Sequence, residues 1–140
     1  MEENHQEIRK KEESKSFKGD DKCFSGNVQV NMLFEATASM CISGALVSFE
    51  KGARTAWHTH PKGQRLIVTE GIGYTQEWGK PIQIFQKGDT IICPPGVKHW
   101  HGASKDCSMS HIALTGQDEN GKNVDWLEKV TDEEYNQIIK

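Results

Sequence analysis

Three histidines and one glutamine are the residues of this chain whose types and spacing point most directly to chemistry. His58 and His60 are two positions apart, so a β-strand would direct both imidazoles to the same face. Gln64 follows shortly after, and His99 comes after a Gly-Asp turn and a Pro-Pro-Gly step. Three imidazoles and an amide oxygen suit a divalent metal ion, with Mn or Fe favoured and Ni, Co or Zn possible. The sequence therefore predicts one metal ion per chain.

The spacing around these residues is similar to that of the cupin superfamily, in its type-2 group. The first cupin motif corresponds to residues 52–71 and the second to residues 88–103. Two positions depart from the family pattern, because Gln64 stands where glutamate is usual and Ala103 where asparagine is usual. The resemblance implies an all-β fold, the cupin double-stranded β-helix or jelly-roll barrel.

The composition after Phe17 independently indicates many short antiparallel strands. Short β-branched segments bounded by turn residues lie at 28–34, 42–49, 65–69, 73–78, 82–85 and 90–93. The segment that contains residues 65–69 ends at Gly71, as a strand that enters a hairpin would. Glycines and prolines separate these segments at the intervals expected of a jelly roll or small barrel.

The chain of 140 residues is long enough for one domain and has no room for a second. Residues 1–15 are predicted to be a charged, solvated tail or a frayed helix, and residues 16–140 a single cupin domain. Near the end, Thr131 and Glu134 have the spacing of a capping box. A short C-terminal helix is expected there, with one face formed by Tyr135, Ile138 and Ile139.

Charge and hydropathy exclude several classes of partner. A net charge of -3 and a pI near 6.1 give no basic field for nucleic acid, so a small-molecule substrate is expected instead. The N-terminal residues lack the apolar stretch of a signal peptide, and no segment approaches the length of a membrane span. The expected location is the cytoplasm, without membrane contact.

The cysteines and tryptophans indicate core packing rather than a second site. Cys23, Cys41, Cys93 and Cys107 include no Cys-x-x-Cys pair, so free and mostly buried thiols are expected. The four tryptophans, at positions 57, 78, 100 and 126, could wall an apolar pocket, but core positions are favoured for all of them.

From about Phe24 onward the sequence resembles small bacterial cupins that include manganese-dependent hydroxynitrile lyases. In that group the motif histidines and glutamine hold the metal, which implies the ligands His58, His60, Gln64 and His99.

Further residues of the site follow from the same resemblance. A later strand histidine that acts near the substrate corresponds to His111, and small pocket residues correspond to Ala45 and Val47. A pocket glutamine of the lyases falls at Thr115 here. His101 lies two positions beyond His99, so in a regular strand its ring would face the same interior and could act as a base or relay.

The resemblance implies a metal-dependent lyase that cleaves a cyanohydrin to a carbonyl compound and cyanide, with His111 stabilising the departing cyanide. An amide in place of a carboxylate leaves the metal centre more positive, which favours Lewis-acid chemistry over oxygenase chemistry. A cupin dioxygenase, a sugar-acid isomerase and a non-enzymatic small-molecule binder remain alternatives. Cupins commonly pair through edge strands, so a homodimer formed by the strands before Gly44 is expected.

Overall fold

The computed structural model describes residues 5–137 of the chain. Within them are twelve strands, a short 3-10 turn at Lys11–Glu13 and one α-helix, α1, at Asp132–Tyr135. The strands are β1 (Lys15–Lys18), β2 (Phe24–Ser25), β3 (Val28–Phe34), β4 (Ile42–Phe49), β5 (Arg54–Thr55), β6 (His58–Thr59), β7 (Gln64–Glu77), β8 (Gln83–Gln86), β9 (Thr90–Cys93), β10 (His99–Ala103), β11 (Met109–Gly116) and β12 (Asp125–Trp126). In this part of the chain no helix is long and apolar enough to cross a membrane.

The strands form two curved antiparallel sheets that share one long strand. The first sheet has the order β1-β3-β4-β11-β7-β9. The second contains β8, β7, β10, β5 and β2, and β6 pairs with β10 and in turn with β12. The strand segments predicted from the sequence correspond to β3, β4, β7, β8 and β9. The predicted all-β jelly-roll barrel with a short C-terminal helix is confirmed.

The prediction of a hairpin at Gly71 is wrong, because β7 is a single strand of 14 residues that continues through this glycine. The first half of β7 pairs with β9 and β11, and the second half pairs with β8 and β10. Gly71 has φ of 79°, and the register with β11 shifts between Ser110 and His111. The glycine therefore marks a bulge where the strand bends from one sheet into the other.

Two clusters of buried apolar side chains pack against the sheets. The cluster between the sheets consists of Val28, Val30, Val47, Phe49, Ala53, Val68, Phe85, Ala103 and Met109. A second cluster covers the outer side of β10 and consists of Trp57, Tyr74, Ile82, Trp100, Val130 and Tyr135. All five residues of β10 are buried as a result, which holds this strand rigidly between the two clusters.

The C-terminal helix begins as the sequence predicts and ends earlier than expected. The Thr131 side chain accepts a hydrogen bond from the backbone N–H of Glu134, and the reciprocal bond completes the capping box. The helix stops at Tyr135, which is buried. The predicted partners on its apolar face, Ile138 and Ile139, lie outside the described residues.

Buried contacts fasten this helix to the second sheet. The Arg54 guanidinium donates to the carbonyl oxygen of Val130 at 2.9 Å and to the Asp132 carboxylate at 2.7 Å. It also lies over the Tyr135 ring, and the Tyr135 hydroxyl donates to the carbonyl oxygen of Ala103 at 2.6 Å. The C-terminal segment is therefore part of the folded barrel wall.

The expectations for the cysteines and tryptophans are only partly met. All four thiols are free, but Cys93 alone is buried, because the other cysteines lie in turns and loops. Trp57 and Trp100 are buried core residues. Trp78 and Trp126 are 52% and 39% exposed, so the prediction of core positions was wrong for these two.

The N-terminal residues extend beside the edge of the first sheet. Residues 5–14 are almost entirely exposed, and Arg9 pairs with Glu35 at 2.9 Å. Strand β1 follows at once and is the edge of its sheet, with all four residues exposed. The division of the chain after residue 15 and the homodimer formed by the strands before Gly44 stay predictions.

Replacement of Gly71 should destabilise the protein far more than replacement of a comparable glycine. A Cβ at Gly71 would lie 1.8 Å from the Ser108 carbonyl oxygen, whereas Gly79, with a similar φ of 85°, has nothing within 4 Å. Urea unfolding should show that Gly79→Ala costs about 1 kcal/mol, from backbone strain alone. Gly71→Ala should cost about 3 kcal/mol, because the bulge must also open. Equal losses for the two variants would contradict this reading of the bulge.

Candidate metal centre

Three histidines from separate elements meet inside the barrel. His58 begins β6 and His99 begins β10, and the two are direct cross-strand partners. His60 directly follows the end of β6 at Thr59. One ligand atom from each of the three lies within 4.8 Å of the others, and the ring centroids of His58 and His99 are 4.3 Å apart. The predicted convergence of these three side chains is therefore observed.

Backbone carbonyl groups fix the protonation of each ring. The Nδ1 atoms of His58, His60 and His99 lie 2.8, 2.7 and 2.9 Å from the carbonyl oxygens of Ala56, Asn123 and Val97, respectively. A carbonyl oxygen only accepts, so each Nδ1 must carry the proton and donate it. In a neutral ring Nε2 is then a bare lone pair, which is the form that binds a metal ion.

Gln64 lies next to this cluster at the start of β7. Its Nε2 donates to the Thr115 hydroxyl at 3.0 Å, and both side chains are buried. Its Oε1 is buried without a hydrogen-bond partner among the described residues. The amide therefore has one end bound by the protein and an oxygen still able to accept.

Burial keeps all of these imidazoles neutral. Burial lowers the pKa of His99 to about 4 and that of His58 well below its ordinary value, with the neighbouring histidines adding to the effect for His58. Burial also lowers the pKa of His60, although the bond to Asn123 opposes it. The three rings are thus neutral at neutral pH, with Nε2 unprotonated, as metal binding requires.

Two more buried histidines lie beside the cluster. His101 Nδ1 and His111 Nε2 are 3.2 Å apart and share one proton. The outer nitrogens, His101 Nε2 and His111 Nδ1, have no partner among residues 5–137. Burial lowers the pKa of His111 to about 4 and that of His101 well below its ordinary value, so the pair is neutral. With one shared proton, one outer nitrogen is an N–H donor and the other is a bare lone pair.

A cavity of about 300 Å³ is lined by residues of the metal cluster and by the His101–His111 pair. The polar part of its wall includes His58, His60, Gln64, His101, His111 and Thr115. The predicted pocket residues Ala45 and Val47 also line it, because β4 lies beside β11 with Val47 opposite His111. The alternation predicted around His111 is present, and its imidazole lies on the inner face.

Sequence reasoning missed most of the apolar wall of this cavity. Phe17, Phe24, Met32 and Val124 line it, and so does Trp126, whose ring centroid is 4.8 Å from that of His58. The missed residues come from β1, β2, β3, β12 and the loop before β12, which are distant from one another in sequence. The alternation of β3 gave a usable signal for Met32, but no local pattern marks the position of Trp126.

The donor set fits a divalent metal ion. The Nε2 atoms of His60 and His99 and the Oε1 of Gln64 are buried acceptors without a protein partner in the described part of the chain. Leaving such atoms unpaired costs roughly 1–3 kcal/mol each, so several together indicate a group that satisfies them. Neutral nitrogen and oxygen donors suit a first-row divalent ion, with the metal's identity left open.

The fold and this cluster define a class of jelly-roll proteins that carry histidines inside the barrel. A family model described as a cupin domain matches residues 45–113. A Granulicella tundricola protein named (R)-mandelonitrile lyase is 46% identical over 129 residues, which cover 92% of this chain and 98% of that protein. The chain belongs to the cupin family.

Solved structures agree with this assignment. The structure of a cupin-like protein from Thermotoga maritima has 46% sequence identity and a TM-score of 0.79, covering 84% of this chain and 89% of that one. A cupin 2 conserved barrel domain protein from Rhodopseudomonas palustris has a TM-score of 0.63 at 14% identity, over 77% of this chain and 80% of that one. The second likeness concerns the fold alone.

Metal analysis of the purified protein should find close to one divalent ion per chain. His58→Ala should abolish stoichiometric binding, because it removes one of three converging nitrogens. His5→Ala is the matched control, since His5 is exposed and lies outside the cluster. Inductively coupled plasma mass spectrometry would measure the content of each variant. Full metal content in His58→Ala would contradict the assignment of the site.

Acid should destabilise the metal-free protein in a defined pH range. The folded pKa values of His99 and His111 are about 4, below the ordinary value of 6.5, so the unfolded chain binds more protons between these limits. The free energy of unfolding should therefore fall as the pH decreases from about 6.5 to 4, by about 1.4 kcal/mol per pH unit for each histidine.

Chemical denaturation at several pH values, with a chelator present, would measure this slope. His111→Gln removes one such group and should make the slope shallower by about one proton. An unchanged slope in this variant would show that His111 is not held neutral in the folded state.

Proposed function

We propose that this cupin is a metal-dependent lyase that cleaves a small cyanohydrin into a carbonyl compound and hydrogen cyanide. The observation that carries the proposal is one cavity lined both by His58, His60 and Gln64 beside the histidine cluster and by the His101–His111 pair. The 46% identical relative named (R)-mandelonitrile lyase supports the choice of substrate class. A metal-assisted isomerisation or another carbonyl elimination would need the same site, so the reaction requires a direct test.

The residues that would hold the metal are His58, His60, His99 and Gln64. A divalent ion bound there would act as a Lewis acid towards the substrate oxygen and lower the pKa of its hydroxyl group. Mn and Fe remain the favoured ions, because both accept mixed nitrogen and oxygen donors and leave positions open. The neutral Gln64 amide adds no negative charge, which keeps the centre strongly polarising.

The apolar wall would bind and orient the organic part of the substrate. Phe24, Phe49 and Trp126 form a chain of ring contacts, with centroid separations of 6.3 and 5.6 Å, along one side of the cavity. Ala45 and Ala113 leave space on the opposite strands. A substrate ring packed against this wall would displace water from it, so a proton at the polar end would move between the substrate and the histidines.

The histidine pair would move that proton. Its bare outer nitrogen would accept the hydroxyl proton as the carbon–cyanide bond breaks, while the electron pair of that bond leaves with cyanide. The N–H at the other outer nitrogen would donate to cyanide, producing hydrogen cyanide. Transfer of the shared proton between His101 Nδ1 and His111 Nε2 then restores a neutral pair. One base and one acid are thus available without a charged side chain in the cavity.

Cleavage of mandelonitrile by metal-free protein reconstituted with Mn or Fe would test the proposed function. Benzaldehyde formation should depend on the added metal, and His111→Ala should reduce kcat by about a hundredfold or more at full metal occupancy. Ser110→Ala is the matched control, because Ser110 is on the same strand but bonds to Ser48 on the outer face.

Two results would contradict the proposal. Full turnover in His111→Ala would remove this residue from the mechanism. Stoichiometric metal without any cyanohydrin cleavage would exclude the lyase reaction for this substrate class. Oxygen uptake by the iron form would then favour the dioxygenase alternative.

A further inference from the structure

The Gln64 side chain presents a problem of orientation that a glutamate would not have. A carboxylate has two equivalent oxygens, so either can face a cation. An amide has one oxygen and one N–H₂ group of almost the same shape, and only the oxygen can bind a metal ion. A glutamine at this position therefore needs a neighbour that distinguishes its two ends.

Thr115 is placed to make this distinction. It is the direct cross-strand partner of Gln64 where β11 pairs with β7, so the two side chains leave the sheet on the same face. Gln64 Nε2 donates to Thr115 Oγ1 at 3.0 Å, and the two residues are only 8% and 7% exposed. Gln64 Oε1 is left without a hydrogen-bond partner in the described residues, and Gln64 lines the same cavity as His58 and His60.

We propose that Thr115 is a positioning residue that holds the Gln64 amide with its oxygen free to bind the metal ion. The sequence resemblance suggested that Thr115 contacts substrate, whereas here its role is to orient the side chain of Gln64. It rests on metal binding at the histidine cluster, which is part of the proposed function, but it does not depend on cyanohydrin cleavage.

The hydroxyl is the feature of Thr115 that matters. A valine of nearly the same shape would offer no acceptor, so Gln64 Nε2 would be buried without a partner whenever Oε1 faced the histidines. The amide would then rotate or withdraw from the cavity. In either case the metal ion loses an oxygen ligand while the three histidines remain in place.

Titration of metal-free protein with Co²⁺ would test the proposal, because this ion reports its ligands through its visible absorption spectrum. Thr115→Val should weaken Co²⁺ binding by about tenfold to a hundredfold, the range found when a partner of a metal ligand is removed. Its spectrum at saturation should differ from that of the unaltered protein. Thr115→Ser keeps the hydroxyl and should restore both affinity and spectrum.

A matched control and a double-mutant cycle would identify the cause. Thr69→Val removes a similar hydroxyl from β7, one that donates to the Ser110 carbonyl oxygen at 3.2 Å on the outer face. It should leave Co²⁺ binding unchanged. In a Gln64→Leu background, Thr115→Val should cause no additional loss of Co²⁺ affinity, since the amide that it positions is absent.

Two outcomes would overturn the proposal. The first is a Thr115→Val protein with unchanged Co²⁺ affinity and spectrum, particularly if its KM for mandelonitrile rises, which would favour direct substrate contact. The second is an equal loss of affinity from Thr115→Val with and without Gln64. Because no substrate enters the metal titration, absence of lyase activity would not affect either result.

Discussion

Three hydrogen bonds between imidazole Nδ1 atoms and backbone carbonyl oxygens are the constraint on which the rest of the site depends. Since a carbonyl oxygen cannot donate, each bond fixes one tautomer and leaves Nε2 bare. Burial acts in the same direction, because it penalises the charged imidazolium and lowers the pKa of His58, His60 and His99. The three imidazoles are thus neutral and could bind a cation, with the Glu77 carboxylate close enough to His99 to oppose part of the lowering of its pKa. Two of the carbonyls belong to the histidines' own segments, and the third comes from the loop before β12.

Burying five imidazole side chains costs free energy, which apolar packing elsewhere in the structure must offset. Along β10 the inner side chains, His99 and His101, belong to the site, whereas Trp100 points outward into the cluster beneath the C-terminal segment. The apolar side of the strand offsets the cost of enclosing imidazoles on the other side. The contacts of Arg54 and Tyr135 keep the C-terminal segment in place over Trp100. A residue far from the cavity can therefore affect the site by loosening the strand that supports it.

The sequence was most informative where spacing alone determines geometry. The two-residue interval of His58 and His60, the alternation around His111 and the capping box at Thr131 each follow from the regular period of a strand or helix. Gly71 was misread because a bulge and a hairpin both call for a glycine, and only the strands on either side distinguish them. The positions of Trp126 and the Asn123 carbonyl depend on how a loop returns to the barrel mouth. That return is set by tertiary packing, which leaves no local period in the sequence.

Strand β7 has a consequence for how this fold tolerates changes in length. Its first residue is Gln64, and its last, Glu77, is the cross-strand partner of His99, so one strand fixes the spacing between Gln64 and the start of β10. Inserting or deleting a single residue along it would turn every later side chain to the opposite face. Both sheets would be misaligned, because each pairs with one half of this strand. Insertions and deletions in proteins of this kind should therefore occur in loops such as residues 117–124, while the length of this strand stays constant.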